Sequence, residues 1–276
     1  MVKARKCAVG SKQRKFPGYV KSEWASPTVS TDGVIITSTI EAHEVCDVAV
    51  IDLPNTFLNA YNNEQTLMLL KGKLAELMVQ IDPQMYHKHI ITSSEGEPML
   101  YFRLSKALYG LLQSVLLLYS KLGADLEDFG FTVNPYDPCV ANKIINDLQM
   151  TVTWRVDDLK ISHKDIREVT KFIKHFGDIY GDRMTVHCGK VHHYLGIDLD
   201  FSSPKVLKIG MIKYIKKIHE DFPEEIKSPA ATPAADHLFD VREDNKDKLL
   251  PEEQAQAFHR TTAQLMFMCA RARPDI

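Results

Sequence analysis

Two adjacent aspartates, Asp157 and Asp158, stand between two β-like runs and constrain the local fold more than any other feature. Neighbours in a strand point to opposite faces, so a straight strand would separate the two carboxylates. A tight turn at Asp157 and Asp158 would bring them together at a hairpin tip, where like charges repel unless a cation lies between them. For an isolated pair, a solvated turn is the more common interpretation. A hard divalent ion held by oxygen ligands is the alternative.

A second constraint is the apolar run of residues 48–53, which Pro54 ends. A continuous apolar run of this length is typical of a central strand buried on both faces. Asp52 lies near the end of the run, and burying an unpaired carboxylate is costly. Asp52 is therefore either partnered or at a solvent-open strand end. A helix N-cap or turn before Pro54 is an equally good interpretation of the pattern.

Composition leaves the protein class open, but the charges are unevenly distributed. The 276 residues are 45% apolar and 25% charged, which is ordinary for a globular protein, and the net charge is only −2. Residues 1–22 are basic without any acid, and acids gather at residues 219–253. A second basic run comprises Lys205, Lys208, Lys213, Lys216 and Lys217. Such patches either bind phosphate or form solvated faces.

The cysteines and the absence of long apolar runs bear on location. Five scattered cysteines without a CxxC pair indicate reduced thiols in a cytosolic or nuclear setting. No signal-like segment and no apolar run near 18 residues is present, so we expect a soluble protein. A zinc site is not expected, because the spacing of the nearest cluster fits no standard ligand pattern. That cluster is His187, Cys188, His192 and His193.

Several elements follow from periodicity. Apolar residues recur every three or four positions from Ser105 to Phe129, which predicts a long helix that Gly130 stops. Asp165 is placed to cap a helix that ends by Gly181. Strands are predicted at residues 99–104, 139–144, 149–156 and 159–163, with a strand or hairpin at 192–201. Helices are predicted at residues 208–221 and about 255–270, separated by a Pro- and Ala-rich linker.

Eight short motifs, in order, resemble those of the reverse transcriptase of copia-type LTR retrotransposons. Each is weak alone, but eight in register across nearly all of the chain are highly specific. They are residues 3–13 (KARKCAVGSKQ), 26–29 (SPTV), 52–59 (DLPNTFLN), 104–113 (LSKALYGLLQ), 130–131 with 137–139 (GF, DPC), 156–159 (VDDL), 194–197 (YLGI) and 273–276 (RPDI).

The resemblance implies an α+β, right-hand polymerase fold with fingers, an antiparallel palm sheet backed by helices, and a partial thumb or connection. Residues 1–222 would form the fingers, the palm and the start of the thumb. Residues 223–276 would form a linker and the C-terminal helix of a truncated thumb or connection region. We expect a fragment of a Pol polyprotein, without protease, integrase or RNase H.

The resemblance also implies template-directed DNA synthesis. Asp52 and Asp157 would converge on adjacent palm strands and hold two Mg²⁺ ions, or Mn²⁺, with Asp158 as the supporting third carboxylate. The ions would activate the primer 3′-hydroxyl and stabilise the leaving pyrophosphate. The implied partners are an RNA or DNA template with its primer, and dNTPs. A membrane is not implied, and no protein partner follows from the sequence.

The implied nucleotide-binding residues come from three motifs. Phe57 resembles the aromatic floor under the incoming sugar, which favours dNTPs; a plain core phenylalanine is the alternative. Lys3 and Arg5 lie where fingers residues would grip the triphosphate, unless they belong to a solvated terminus. Tyr109, Gly110 and Gln113 resemble the family's loop-to-helix segment that lies under the nucleotide and the template.

The implied primer and template contacts lie further along the chain. Leu195 and Gly196 resemble the hairpin that holds the primer end. A helix carrying Lys213, Lys216 and Lys217 would meet duplex phosphates, or else present a plain surface face. Arg155 would lie near the primer terminus.

Two departures from the family pattern limit these expectations. Arg155 replaces the family's aromatic residue before Val-Asp-Asp, and residues 54–56 (PNT) also differ. The alternatives are a decayed or co-opted remnant that at most binds nucleic acid, or an unrelated soluble α/β protein with a chance match.

Overall fold

The computed structural model describes residues 7–15, 17–181, 183–223 and 250–273, which form a mixed α and β structure. The described strands are β1 (Asp47–Asp52), β2 (Leu67–Lys71), β3 (Ile91–Thr92), β4 (Pro98–Arg103), β5 (Thr132–Val133), β6 (Val140–Ile145), β7 (Leu148–Arg155), β8 (Asp158–His163), β9 (Thr185–Gly189), β10 (Val191–Tyr194), β11 (Ile197–Asp200) and β12 (Lys208–Gly210).

The described helices surround these strands. They are α1 (Lys21–Trp24), α2 (Thr31–Glu44), α3 (Lys73–Ile81), α4 (Pro83–Tyr86), α5 (Ser114–Asp128), α6 (Ile166–Tyr180), α7 (Ile212–Asp221) and α8 (Glu252–Cys269). Three 3₁₀ turns lie at Gly10–Lys15, Thr56–Asn59 and His87–His89. In the described part of the chain, no helix is long and apolar enough to cross a membrane.

The central element is a six-stranded antiparallel sheet in the order β5-β6-β7-β8-β1-β9. Strand β1 lies inside this sheet between β8 and β9, and its residues Ala49 and Ile51 are fully buried. The predicted central strand is therefore confirmed. Helix α6 contacts β1 and β8 and buries Phe172 and Phe176 in the main core. Burying such rings removes a large apolar area from water.

Two smaller antiparallel sheets flank the central one. The first has the order β2-β4-β3, and the second has the order β10-β11-β12. Residues Tyr194, Ile197 and Leu199 of the second sheet are buried in the same core cluster as the central sheet. This shared core fixes the β10–β11 hairpin against the central sheet. Antiparallel sheets backed by helices confirm the predicted α+β class.

An ion pair is buried between helix α2 and the central sheet. Lys160 of β8 is fully buried and pairs with Glu41 of α2, which is 2% exposed. The second carboxylate oxygen of Glu41 and the Ser38 hydroxyl have no hydrogen-bond partner among the described residues. A buried charge tolerates the loss of its partner poorly, so the pair ties α2 to one position on the sheet.

Two predictions were wrong at element boundaries. The helix expected from Ser105 begins at Ser114, because residues 105–113 form a loop in which Gly110 has φ +89°. The Ser114 side chain bonds the backbone of Leu108 and closes this loop. The turn expected at Asp157 and Asp158 lies one residue earlier, and Asp158 is already the first residue of β8.

Helix predictions elsewhere agree with the structure. The Asp165 side chain accepts the Arg167 amide and caps α6, which ends before Gly181. Helices α7 and α8 correspond to the predicted segments at 208–221 and 255–270, with shifts of a few residues at their starts. Residues 192–201 form a hairpin, one of the two forms expected.

Candidate active site

Two of the candidate carboxylates face each other across neighbouring strands. Asp52 ends β1 and Asp158 begins β8, and the two are direct partners in the antiparallel register. The Leu53 amide donates to the Asp157 carbonyl at 3.1 Å. This bond makes Asp52 and Asp158 a non-hydrogen-bonded pair, the kind in which facing side chains lie closer together. Their side chains therefore share one face of the sheet at its solvent-open end.

The third carboxylate lies in the turn between β7 and β8. Arg155 pairs with Asp158, so Val156 and Asp157 form a two-residue hairpin turn. Val156 has φ +60°, a conformation that a β-branched residue rarely adopts, and hairpins usually place Gly, Asn or Asp there. Strained backbone of this kind clusters at functional sites, where surrounding packing holds it. Here Val156 packs against the cluster formed around Phe57.

The electrostatics of Asp158 reflect its neighbours. Burial, followed by the charges of Asp157 and Asp52, raises the pKa of Asp158, while Arg155 and His193 act in the opposite direction. Facing like charges destabilise a strand pair. Part of the rise in the pKa of Asp158, after the larger effect of burial, therefore comes from two other acids at the same end of the sheet.

The donor chemistry of this set fits a hard divalent cation. Carboxylate oxygens are the ligands that Mg²⁺ and Mn²⁺ prefer, and a cation would relieve the repulsion that Asp158 experiences. Over the ranges that the structure describes, no three His, Cys, Asp or Glu side chains are already arranged to hold a metal ion. The register brings Asp52 and Asp158 to one end of the sheet, beside the turn that contains Asp157.

Phe57 is buried beside the hairpin turn. Its side chain is 8% exposed and packs with Ala60, Ala107 and Leu118. The Tyr109 ring meets it edge to face, with ring centroids 4.7 Å apart. The structure therefore joins two of the nucleotide-binding candidates in one small core next to Val156, as the plain core interpretation of Phe57 also expects.

Gly110 is required by a close approach of the chain to itself. A Cβ on Gly110 would lie 2.0 Å from the Ala8 carbonyl oxygen, and the Ala8 amide donates to the Tyr109 carbonyl at 2.7 Å. A Cβ on Gly10 would likewise lie 2.0 Å from the Gly110 carbonyl oxygen. The backbone at Gly110 therefore packs closely against the N-terminal segment.

Gln113 is buried in a network of side-chain amides. Its Nε2 donates to Asn62 Oδ1 at 3.3 Å and to Thr66 Oγ1 at 3.1 Å, and its Oε1 accepts from Gln13 Nε2. Gln13 also accepts the Leu112 amide at 2.9 Å. Both N–H donors of Gln113 are therefore used inside the protein, and one lone pair of its Oε1 stays available as an acceptor. Of the three partners of Gln113, only Gln13 belongs to one of the eight sequence motifs, as the last position of the first motif.

The candidate primer hairpin is the turn between β10 and β11. Leu195 (φ +50°) and Gly196 (φ +86°) are its two central residues, and positive φ at both is the pattern of a type I′ turn. A Cβ on Gly196 would lie 3.2 Å from the Phe267 ring of α8. Gly196 is therefore needed both for the turn and for the contact with α8.

The remaining candidates lie on exposed positions or outside the description. Arg155 is exposed at the end of β7, beside the carboxylates. Lys213, Lys216 and Lys217 are exposed on α7 at a spacing that groups them on one side. Lys3 and Arg5 lie outside the described residues.

One residue near the site was missed by sequence reasoning. Arg271 follows α8 and lines the same pocket as Arg155 and Leu195, although 116 positions separate it from Arg155 in the sequence. Sequence spacing carries no signal for such a contact, because it depends on the way α8 packs against the β10–β11 turn.

The chain belongs to the reverse transcriptase family: the family model described as reverse transcriptase (RNA-dependent DNA polymerase) matches residues 1–236. A particular relative is the retrovirus-related Pol polyprotein from transposon TNT 1-94 of Nicotiana tabacum. It is 25% identical over 285 residues, which cover 99% of this chain and 19% of that protein. The resemblance to copia-type retrotransposon reverse transcriptases is confirmed, and this chain spans about a fifth of the polyprotein.

Solved telomerase structures show a looser similarity. Apo telomerase of Candida tropicalis has a TM-score of 0.37 and 12% identity, covering 72% of this chain and 38% of that chain. Telomerase of Candida albicans with the TWJ fragment of telomeric RNA has a TM-score of 0.36 and 11% identity, covering 77% and 41%. At these TM-scores the similarity supports no inference about this chain. Family membership, with the helix-backed antiparallel sheets, confirms the predicted polymerase fold.

Proposed function

We propose that this chain carries out template-directed DNA synthesis, with Asp52, Asp157 and Asp158 as the carboxylates that hold two Mg²⁺ ions. Mn²⁺ is the alternative metal, because it accepts the same oxygen ligands. The observation that carries the proposal is the direct pairing of Asp52 with Asp158, next to Asp157, in a member of the reverse transcriptase family.

Each carboxylate has a distinct part in this proposal. Asp52 acts from the end of β1 and Asp158 from the start of β8, so together they bridge the two strands. Asp157 acts from the strained turn, and its carbonyl accepts a hydrogen bond from Leu53, the residue that follows β1. Bound ions would activate the primer 3′-hydroxyl and neutralise charge on the leaving pyrophosphate.

Nucleotide binding is proposed for the segments that adjoin the turn. Phe57 and Tyr109 would form the floor under the incoming sugar, where an aromatic edge excludes a 2′-hydroxyl and favours dNTPs. Gly110 and Gln113 would lie in the segment under the nucleotide and template, where Gln113 would hydrogen-bond to the nucleotide. Lys3 and Arg5 would hold the triphosphate.

Primer and template binding is proposed for three surfaces. Leu195 and Gly196 would hold the primer end, Arg155 would contact it from β7, and the α7 lysines Lys213, Lys216 and Lys217 would meet duplex phosphates. In domain terms, residues 1–222 would form fingers, palm and the start of the thumb. Residues 223–276 would contribute a linker and the C-terminal helix of the thumb or connection.

Primer extension tests the proposal. The wild-type chain, a 5′-labelled primer on an RNA or DNA template, dNTPs and Mg²⁺ should give extended product. Asp157→Asn should lose more than about 100-fold in rate, since loss of a metal ligand exceeds the usual effect of its supporting groups. Asp147→Asn is the matched control, because Asp147 occupies the exposed β6–β7 turn at the other end of β7. Equal rates for wild type and Asp157→Asn would reject the mechanism.

A second function, nucleic-acid binding without synthesis, is favoured by Arg155. This guanidinium stands where the family has an aromatic residue, beside the primer hairpin. Binding of the primer–template that weakens with salt, together with no incorporation of dNTPs, would support this function. Robust extension would reject it.

A further inference from the structure

A pocket of about 280 Å³ lies beside the β7–β8 turn and is lined by two arginines. Arg155 enters it from the end of β7, and Arg271 enters from the turn after α8. Leu195 of the β10–β11 turn and Ser30 and Thr31 at the start of α2 form other parts of its lining. Four separate segments thus meet around two positive charges.

Arg271 is held in a fixed pose in this pocket. Its guanidinium lies over the Phe267 ring, 3.6 Å from the ring centroid, and its Nη1 donates to the Phe267 carbonyl at 3.4 Å. A stacked guanidinium keeps its outer N–H groups available as a planar fork. Phe267 itself packs against Gly196 and Tyr214. The position of Arg271 is therefore built by the fold.

Neither arginine is neutralised by an ion pair with a described carboxylate. Burial, followed by the positive charge of Arg155, lowers the pKa of the Arg271 guanidinium, which nevertheless stays protonated. Two like charges that share a pocket repel each other. An anion between them would remove this repulsion and satisfy their free donors.

Two acids adjoin residues that line the pocket. Asp137 accepts hydrogen bonds from the Ser30 amide at 3.0 Å and the Ser30 hydroxyl at 2.9 Å. Asp158 faces Arg155 in the strand register, and it also faces Asp52. Among the described residues, neither acid forms an ion pair with Arg271. The amide of Thr31, in the first turn of the 14-residue helix α2, adds a donor without an intrahelical acceptor.

We propose that Arg155 and Arg271 together bind one phosphate group next to the candidate active site. Guanidinium forks match phosphate oxygens in a bidentate manner, which a single lysine cannot reproduce. The phosphate is a phosphodiester of the primer strand or a free phosphate such as pyrophosphate. The choice of nucleic acid as its source rests on the proposed function, whereas anion binding itself does not.

Equilibrium binding under conditions without synthesis tests the site. A fluorescent primer–template is titrated with wild type, Arg271→Gln and Arg271→Lys in the absence of dNTPs. We expect Arg271→Gln to weaken binding by about 10-fold and to reduce the salt slope by about 1. Arg271→Lys keeps the charge without the fork, so it should recover the slope but only part of the affinity. Arg260→Gln, an exposed change on α8, is the control and should bind as wild type does.

Two further arms identify the source of the phosphate. Single methylphosphonates, which remove one backbone charge, are placed in turn along the primer. At one primer position, the methylphosphonate should weaken binding to wild type as much as the Arg271→Gln change does. The same methylphosphonate should not change binding to Arg271→Gln. If no position behaves so, calorimetry with pyrophosphate should show binding to wild type that Arg155→Gln and Arg271→Gln both lose. Duplex and pyrophosphate affinities that both stay within about twofold of wild type in folded variants would overturn the proposal. Because no arm requires incorporation of dNTPs, an inactive polymerase would leave these results interpretable.

Discussion

At the scale of single residues, the structure concentrates unfavourable electrostatics at one end of the central sheet. Asp52 and Asp158 face each other, Asp157 lies beside them, and burial raises the pKa of Asp158 further. Val156 adds a left-handed backbone conformation that suits glycine or asparagine better. The facing carboxylates and the strained Val156 backbone both reduce the stability of the metal-free protein. The proposed metal ions would need this arrangement, which explains why the sequence contains it.

Replacing Asp158 should stabilise the metal-free protein in a pH-dependent way. The folded-state pKa of Asp158 is raised, so the folded state holds its proton more tightly than the unfolded state does. The free energy of unfolding therefore falls as pH rises through that pKa. We expect Asp158→Asn to be more stable than wild type by about 0.5–1 kcal/mol near pH 7 and equal to it in acid. Urea unfolding in EDTA across this range measures the difference.

The control for this experiment is the same change at Asp147. This exposed aspartate occupies the other end of β7, so Asp147→Asn should follow the wild-type curve at every pH. A stability difference between wild type and Asp158→Asn that does not change with pH would contradict the account of Asp158.

The buried pair of Lys160 and Glu41 makes a second prediction. Lys160→Met leaves an unpaired buried carboxylate and should cost about 3–5 kcal/mol in unfolding free energy. The double variant Lys160→Met with Glu41→Leu should recover most of that loss. Lys171→Met, in the exposed pair with Glu168, should cost less than about 1 kcal/mol. Chemical denaturation compares the four proteins, and a double variant no more stable than Lys160→Met would refute the pairing.

At the scale of elements, tight turns position the candidate site. The β7–β8 turn carries Asp157, and the β10–β11 turn meets α8 through Gly196 and Phe267. That contact places the C-terminal part of α8, and with it Arg271, beside the β10–β11 turn. The geometry of the arginine pocket thus depends on a turn that belongs to a different sheet.

Gly196→Ala should therefore destabilise the protein. A Cβ there meets the Phe267 ring at 3.2 Å, and φ of +86° is strained for alanine. We expect a loss of about 1–3 kcal/mol, measured by thermal or urea unfolding. Gly210→Ala is the matched control, since nothing lies within 4 Å of its added Cβ and its φ is not positive. An equal effect of the two changes would show that the α8 contact does not matter.

Element predictions from sequence succeeded where the signal is local. The turn at Asn146 and Asp147 uses residues that accept positive φ, and the apolar run into Asp52 marked the central strand. The β7–β8 turn was placed one residue late because Val156 is not a turn residue. The start of α5 was placed too early, since the bond from Ala8 to Tyr109 and the fold at Gly110 depend on contacts distant in sequence.

At the scale of the whole molecule, segments from most of the chain converge on one end of the central sheet. The motifs pointed to Asp52, Asp157 and Asp158 as candidates because their residue types and order are specific, and their role as metal ligands stays a prediction. The arginine pocket was not predictable, because it needs the packing of α8 on the β10–β11 hairpin. The order of motifs in a sequence can indicate the residues of a site. It does not indicate which other surfaces pack next to that site, because such packing brings together residues that are distant in sequence.

Thiol reactivity tests this packing across the molecule. Burial, then Glu44, raises the pKa of Cys46 to about 12, and burial, then Asp137, raises the pKa of Cys139 to about 12. Both thiols should resist a disulfide reagent in the native protein, because thiolate is the reactive form. The exposed Cys7 and Cys188 should react quickly. Mass spectrometry of labelled peptides assigns each labelled cysteine, with denatured protein as the control. Rapid labelling of Cys46 or Cys139 in the native protein would contradict their burial in the core.

Divalent metal binding by Asp52, Asp157 and Asp158 at the end of the sheet underlies the whole proposed mechanism. Mn²⁺ titration followed by electron paramagnetic resonance tests it most directly, using a primer–template with a 3′-deoxy end and a dNTP so that no synthesis occurs. We predict that Asp157→Asn weakens Mn²⁺ binding by more than about 10-fold while Asp147→Asn matches wild type. Unchanged Mn²⁺ affinity in Asp157→Asn would contradict the claim.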